Sequence, residues 1–338
     1  MKRILVTGIG GAAALNFTRA IRELEEEVYI VGTDCSQHYI HLARYVDKKY
    51  IIPKSNKRNY IEKLNEIIEK EHIQFLHAQP DVEVKRISED KEKLKAKVLL
   101  PDKETVRTCH DKFRLIRHLN KRNIPAARNI LIQNEENIRI AFRKFGKKIW
   151  LREVRGAGGK GSLPVEKFDH AKAWIDYWNG WGNFVAEEYL PGRNVAWQGI
   201  FKDGELITSV IWERIEYIIS HVSPSGITGT PSIARIITYE KVNHIALEAA
   251  NSLTKKPNGI FSIDFKENND KVPCVTEINP GRFFTPSYMY VKGGVNLPGI
   301  YLKLAFDEPI PKLPRFNAFK EKILWIRGID IEPVAVKT

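Results

Sequence analysis

The sequence predicts an α/β domain with a doubly wound parallel sheet, followed by an α+β region built on antiparallel sheets. Two observations carry this. An apolar run at Ile4–Thr7 passes through Gly8-Ile9-Gly10-Gly11 into a helical pattern from Ala12 to Leu24, and a second apolar run at Val28–Gly32 ends in Thr33-Asp34. Beyond Pro125 the pattern changes to many short strand-like runs interrupted by few helices. Alternating strands and helices indicate crossover units and a parallel sheet, whereas runs of strands indicate antiparallel pairing.

Each element has its reason. Ile4–Thr7 is continuously apolar, as a strand buried on both faces must be. A helix fits Tyr60–Lys70 and a strand fits Phe75–Ala78, which completes a first domain over residues 1–105. Phe113, Ile116 and Leu119 have helical spacing within Lys103–Asn123, and one helix is predicted there. Strands are predicted at Ile149–Glu153, Phe184–Glu188, Val195–Phe201, Glu205–Trp212, Ile233–Ile237, Ile260–Lys266 and Val272–Ile278. Two helices, Lys167–Tyr177 and Tyr239–Leu253, are expected among them.

The 338 residues are 43% hydrophobic and 28% charged, an ordinary globular composition that excludes disordered and collagen-like classes. No apolar run approaches the ~20 residues of a membrane helix. Cys35, Cys109 and Cys274 stand far apart and an odd number cannot pair fully, so a reducing, cytoplasmic setting is expected. Lys and Arg number 54 against 41 Asp and Glu, a net charge of +13 that favours anionic ligands. Nucleic acid is not the expected partner, because no basic segment is interleaved with aromatic residues that could stack bases.

Four segments could carry chemistry. Gly8–Ala12 with Asp34 downstream has the order of a dinucleotide-binding turn, but Ala13 stands where a third glycine belongs, and a tight turn with close strand–helix packing is the preferred reading. Arg152 ends a strand that runs into Arg155-Gly156-Ala157-Gly158-Gly159-Lys160-Gly161-Ser162, a loop whose amides could close over polyphosphate while its cations neutralise it. Asp264 and the pair Glu277 and Asn279 lie on strands joined by the turn Asn268-Asn269-Asp270. A regular hairpin puts Asp264 opposite or diagonal to Glu277, and Asn279 two residues on shares that face. Two carboxylates and an amide oxygen then converge as hard ligands for Mg2+. Val185-Ala186-Glu187-Glu188-Tyr189-Leu190-Pro191-Gly192 is by itself a common strand exit. No Ser/His/Asp or Cys/His arrangement stands out.

The order of these motifs resembles the ATP-grasp superfamily over nearly the whole chain. It is most similar to one synthetase unit of the carbamoyl-phosphate synthase large subunit, or to a related carboxylate–amine ligase. The resemblance implies a Rossmann-like domain at 1–105, then a two-lobed ATP-grasp domain at 106–338. The small lobe would span 125–188 and the C-terminal lobe, with the metal site, 189–338. It implies ATP with Mg2+ or Mn2+ as cofactors. Lys112 and Arg152 would bind phosphates, and Gly156, Gly158, Gly159, Gly161 and Ser162 would form the mobile phosphate loop with Lys160. Glu187, Glu188 and Leu190 would form the adenine hinge, and Asn194 would hold the ribose hydroxyls. Asp264, Glu277 and Asn279 would bind the metal, and Arg282 or Arg235 would stabilise the transferring phosphoryl group. A homodimer, small-molecule carboxylate and nucleophile substrates, and no membrane partner are also implied.

The chain departs from the family pattern at three places. Asn194 replaces a common Glu, Gly281 is inserted in Asn279-Pro280-Gly281-Arg282 where the usual motif is Asn-Pro-Arg, and Ile227-Thr228-Gly229 lacks the histidine of His-Thr-Gly. The expected activity is an ATP-dependent ligase that activates a carboxylate as an acyl-phosphate for attack by an amine. Carbamoyl-phosphate-type or small-molecule kinase chemistry is the alternative, with an NAD(P)-dependent oxidoreductase a distant third.

Overall fold

Strand β1 (Lys2–Thr7) buries every residue from Ile4 to Thr7, as a central parallel strand requires. In this computed structural model, which describes residues 1–156, 158–319, 323–329 and the backbone of 334–337, β1 is followed by α1 (Ala12–Arg22), β2 (Val28–Asp34), β3 (Lys48–Ile51), α2 (Tyr60–Lys70), β4 (Phe75–His77) and α3 (Asp81–Glu89). The strands form a parallel sheet in the order β3-β2-β1-β4. Strand β3 and helix α3 had no counterpart in the predicted elements. Three of the four side chains of β3 are exposed, so it carries no apolar pattern.

The single helix expected over Lys103–Asn123 is two, α4 (Lys103–Cys109) and α5 (Lys112–Asn120). Asp111 causes the break. Its backbone is extended and its carboxylate accepts the Arg114 N–H at 2.9 Å, so it restarts the helix as an N-cap. The break places Lys112 at the first residue of α5.

A four-stranded antiparallel sheet follows, with the order β5-β8-β6-β7. It comprises β5 (Asn129–Ile132), α6 (Glu135–Phe145), β6 (Ile149–Glu153), β7 (Leu163–Val165), α7 (Phe168–Tyr177) and β8 (Phe184–Glu188). Its core is its own, built on Ile138, Leu151, Ile175 and Phe184. The third sheet has seven antiparallel strands in the order β13-β12-β9-β10-β11-β14-β15. They are β9 (Asn194–Lys202), β10 (Glu205–Tyr217), β11 (Pro231–Ile237), β12 (Gly259–Glu267), β13 (Pro273–Pro280), β14 (Ile323–Ile326) and β15 (Val334–Lys337). Helix α8 (Glu240–Leu253) follows β11, and α9 (Tyr288–Lys292) and α10 (Leu297–Ala305) follow β13.

Two further expectations are corrected. The later region holds more than two helices, since α6, α9 and α10 join α7 and α8. Every residue of α10 except Lys303 is buried, which removes the amphipathic stripe that marks a helix in sequence. Strand β10 continues five residues past Trp212 to Tyr217, because β11 pairs with it through Glu213, Arg214 and Glu216.

One hydrophobic core joins the first sheet to the largest one. Phe17, Phe75, Phe283, Tyr301 and Trp212 belong to it together. Asn16 and Asn296 tie α1 to this region by donating to Thr285 O and Ala20 O at 2.7 and 2.6 Å. No helix among the described residues is long and apolar enough to cross a membrane, and the three cysteines are free.

Candidate active site

A cleft of about 750 Å3 opens between the small sheet and the seven-stranded sheet. Its floor is the β12–β13 hairpin, where Asp264 pairs directly with Glu277 and Ser262 with Asn279. The near wall comes from β6 and β8 through Arg152 and Glu187, and Lys112 enters from the start of α5. The roof is the Gly156–Ser162 loop, of which Ala157 lies outside the described residues. This loop touches the loop after β10 closely, since a Cβ on Gly159 would meet Ile227 O at 2.5 Å.

The cleft is a set of paired charges. Lys112 Nζ lies 3.1 Å from Glu277 Oε1 and donates to Gly156 O at 2.6 Å. Arg152 donates to Glu187 Oε1 at 2.8 Å and Thr276 O at 2.6 Å, while its buried Nε has no partner. Arg282 reaches Asn279 Oδ1 at 2.9 Å and forms an ion pair with Asp81 of α3. Burial acts to raise the Glu277 carboxyl, but Lys112 and then Arg152 outweigh it and hold it below the usual range. Burial lifts Asp264 above that range, with Arg214 working against it. Both acids are thus stable as anions only with a cation at hand.

Other sequence-predicted residues sit at the cleft with different engagements. Lys160 lines it, and its ammonium rests 5.2 Å from the Trp178 ring centroid. The Gly158, Gly159, Gly161 and Ser162 positions shape the roof, and Trp174 Nε1 fixes it by donating to Gly161 O at 2.8 Å. Glu188 turns its carboxylate to Arg128, while Leu190 packs with Ala127 and Cys274 at the cleft end. The Asn194 amide donates to Tyr217 Oη at 2.6 Å and accepts from Arg214 at 3.2 Å. Arg235 is held at 2.6 Å by Glu213, which Arg193 also engages, and its side chain is 44% exposed.

The inserted Gly281 has a φ of +82°, and a Cβ there would meet Leu100 Cδ2 at 2.7 Å and Val84 Cγ1 at 2.9 Å. It is the residue that lets β13 leave against the first domain and turn Arg282 back to Asn279. The first glycine turn is closed on itself. The N–H of Ile9 donates to Thr33 O, that of Gly10 to Asp34 Oδ2 and that of Gly11 to Gly8 O, so the turn's amides and its acid are spent on packing. Sequence reasoning missed Arg214, whose side chain is 8% exposed and lies 2.5 Å from Asp264. The available signal was its position two residues after Trp212, on the same strand face.

Two α+β sheets closing on a cation-lined cleft, preceded by a parallel α/β sheet, define a nucleotide-grasping class of enzyme fold. The chain belongs to the ATP-grasp family: the model described as an ATP-grasp domain matches residues 109–286, more than half of the chain, and that of a PylC-like N-terminal domain matches residues 4–99. Solved structures share the fold. A carboxyaminoimidazole ribonucleotide synthase from Aspergillus clavatus complexed with ATP superimposes with a TM-score of 0.72 at 14% identity, covering 96% of this chain and 81% of that one. A biotin carboxylase from Campylobacter jejuni gives 0.73 at 16% identity, with coverage of 96% and 75%. An L-amino acid ligase from Bacillus licheniformis gives 0.71 at 12% identity, with coverage of 96% and 79%. No curated protein sequence matches the chain.

Proposed function

We propose that this chain is an ATP-dependent ligase that converts a carboxylate substrate to an acyl-phosphate and passes the acyl group to an amine or similar nucleophile. The observation that carries this is the floor of the cleft, where Asp264 faces Glu277 directly and Asn279 presents its amide beside them, ringed by Lys112, Arg152 and Arg282. Such a site suits phosphoryl transfer, which needs positioning and charge neutralisation rather than a protein nucleophile. The relatives in fold include an L-amino acid ligase, a synthase in complex with ATP and a synthetase in complex with ADP, which supports the same chemistry.

The donor set fits a hard divalent cation, with two anionic oxygens and one amide oxygen on one face of the β12–β13 hairpin. Mg2+ or Mn2+ held by Asp264, Glu277 and Asn279 would supply charge neutralisation for the phosphates. Lys112 and Arg152 balance charge on the bound nucleotide, and the Gly156–Ser162 loop with Lys160 excludes water from the acyl-phosphate. A carboxylate oxygen attacks the γ-phosphorus and ADP leaves. The amine then attacks the acyl carbon, and inorganic phosphate departs with the bridging oxygen of the former carboxylate and takes up the proton the amine loses. Arg282 stabilises the charge that develops on the transferring group.

The test is ADP release against pooled carboxylates, with and without pooled amines. Turnover should need both substrates, and Glu277→Gln should lower it by ~10²–10³, the effect of removing one preorganised charged group. A variant that kept full turnover would refute the role of the hairpin, and ADP release without an amine would indicate a kinase instead.

A further inference from the structure

We propose that Arg214 is a further phosphate-contacting catalytic residue, parked on Asp264 so that metal and polyphosphate enter the cleft cooperatively. The inference rests on the ligase reading of the same cleft.

Arg214 is as enclosed as Lys112, each side chain being 8% exposed. Its Nη2 lies 2.5 Å from Asp264 Oδ1 and its Nη1 3.2 Å from Asn194 Oδ1. Those contacts use two of the five N–H donors of a guanidinium. The Trp212 and Phe284 rings flank the group, with centroids 5.6 and 5.2 Å from Cζ. The register of β10 against β11 shifts just after Arg214, and irregularities of this kind re-aim side chains beside active sites. Arg235, by contrast, is half exposed and already bound to Glu213.

The pairing has a consequence for binding. Asp264 is held by Arg214 and Glu277 by Lys112, so each acid of the metal set already carries a protein cation. A divalent metal arriving alone must displace those cations and leave them buried without partners. A polyphosphate arriving alone must draw the cations off and leave two half-buried carboxylates bare. When both arrive, the acids exchange cations for metal and the cations exchange acids for phosphate oxygens. No buried charge is then left unpaired, which is the condition a low-dielectric site imposes. The coupling is reciprocal, because each ligand removes the penalty of the other.

The test uses Mn2+ alone, followed by electron paramagnetic resonance, and inorganic tripolyphosphate in the presence of a chelator, followed by calorimetry. Arg214→Gln frees Asp264, so it should bind Mn2+ at least ~5-fold more tightly than the wild type and tripolyphosphate at least ~5-fold more weakly, the lower end of common coupling factors. Arg214→Lys keeps the charge and should shift both affinities in the same senses by less. It also serves if the glutamine variant does not fold, as judged by circular dichroism. Opposite signs for the two probes are the signature, since loss of a merely structural contact would weaken both or neither. Unchanged or weaker Mn2+ binding in a folded variant overturns the proposal and leaves the ligase reading intact. A wild type that binds neither Mg·ATP nor tripolyphosphate overturns the ligase reading itself.

Discussion

Glu71 illustrates how much a single buried carboxylate organises away from the cleft. It sits at the end of α2 with a side chain 5% exposed, and Lys48 approaches it at 2.8 Å and Arg3 at 3.7 Å. The Tyr29 hydroxyl donates to it at 3.1 Å, the Tyr50 hydroxyl also donates, and Arg3 Nε donates to its carbonyl at 2.6 Å. The Lys48 and Tyr50 hydrogen bonds hold the carboxyl at a pKa of about 2, with burial opposing them and Tyr29 assisting. An unfolded Glu titrates near ~4.3. Between those values the unfolded chain binds the proton and the native one does not. The stabilisation is therefore present above about pH 4.3 and lost as pH falls toward 2. Glu71→Gln should cost about 2 kcal/mol at pH 7, the scale of a hydrogen bond to a charged group. Urea denaturation at pH 7 and pH 3 should show the gap between the variants narrowing at the lower pH. An equal gap at both would mean that the charge of Glu71 contributes nothing.

At the scale of elements, the exit of β13 links stability to chemistry. Gly281→Ala must adopt a φ of +82° and push against Leu100 and Val84, both of the segment that precedes the cleft. Left-handed strain of ~1–2 kcal/mol adds to overpacking of ~1–3 kcal/mol. The variant should lose about 2–5 kcal/mol in a denaturant titration and, with Arg282 displaced from Asn279, about tenfold or more in kcat. A glycine that tolerated alanine at wild-type stability would remove the reason given for the insertion. The same element shows what was legible in the sequence. A period of two and a polar turn place Asp264 opposite or diagonal to Glu277, and a register shift between Asp264 and Phe265, which the pattern does not show, makes the pairing direct. The parallel strands β1 and β2 are equally plain as apolar runs. Other features are hidden by competing physics. The helix break at Asp111 interrupts an unbroken apolar spacing through a cap rather than through a proline or glycine. Helix α6 begins with a capping box of Asn134 and Asn137 in place of the usual acidic or Gln partner, and so carries a weaker start signal. Arg214 lies in a stretch of Glu213, Arg214 and Glu216 that reads as the solvated end of a strand. Its place two residues after Trp212 is the one signal the sequence carries, and the pairing with β11 and the contact with Asp264 across the sheet make it a site residue.

The whole molecule is a clamp with one fixed side. The first parallel sheet and the seven-stranded sheet share a core through Phe17, Phe283, Tyr301 and Trp212, and Arg282 is anchored to Asp81 across that junction. The small sheet has a separate core, and it meets the rest at the cleft through Arg152, which donates to Thr276 O, and through Gly156 O, which accepts from Lys112 of α5. A ligand that fills the cleft therefore binds groups from both bodies and stabilises the folded chain as a unit. At a hundred times its dissociation constant, such a ligand adds about 2.7 kcal/mol. Unfolding entropy of ~2.1 cal/mol/K per residue, over a chain of 338 residues, converts this to a rise in Tm of about 4 °C. Mg·ATP should produce this rise. Mg2+ without nucleotide should not, because Asp264 and Glu277 are already paired with Arg214 and Lys112. NADH should not either, because the amides of the first glycine turn are spent on Thr33, Asp34 and Gly8. A rise with NADH and none with Mg·ATP would move the nucleotide to the first domain and overturn the assignment. A rise with Mg2+ alone would leave the nucleotide site in place but show that the acids are open to metal, against the pairing that Arg214 and Lys112 impose.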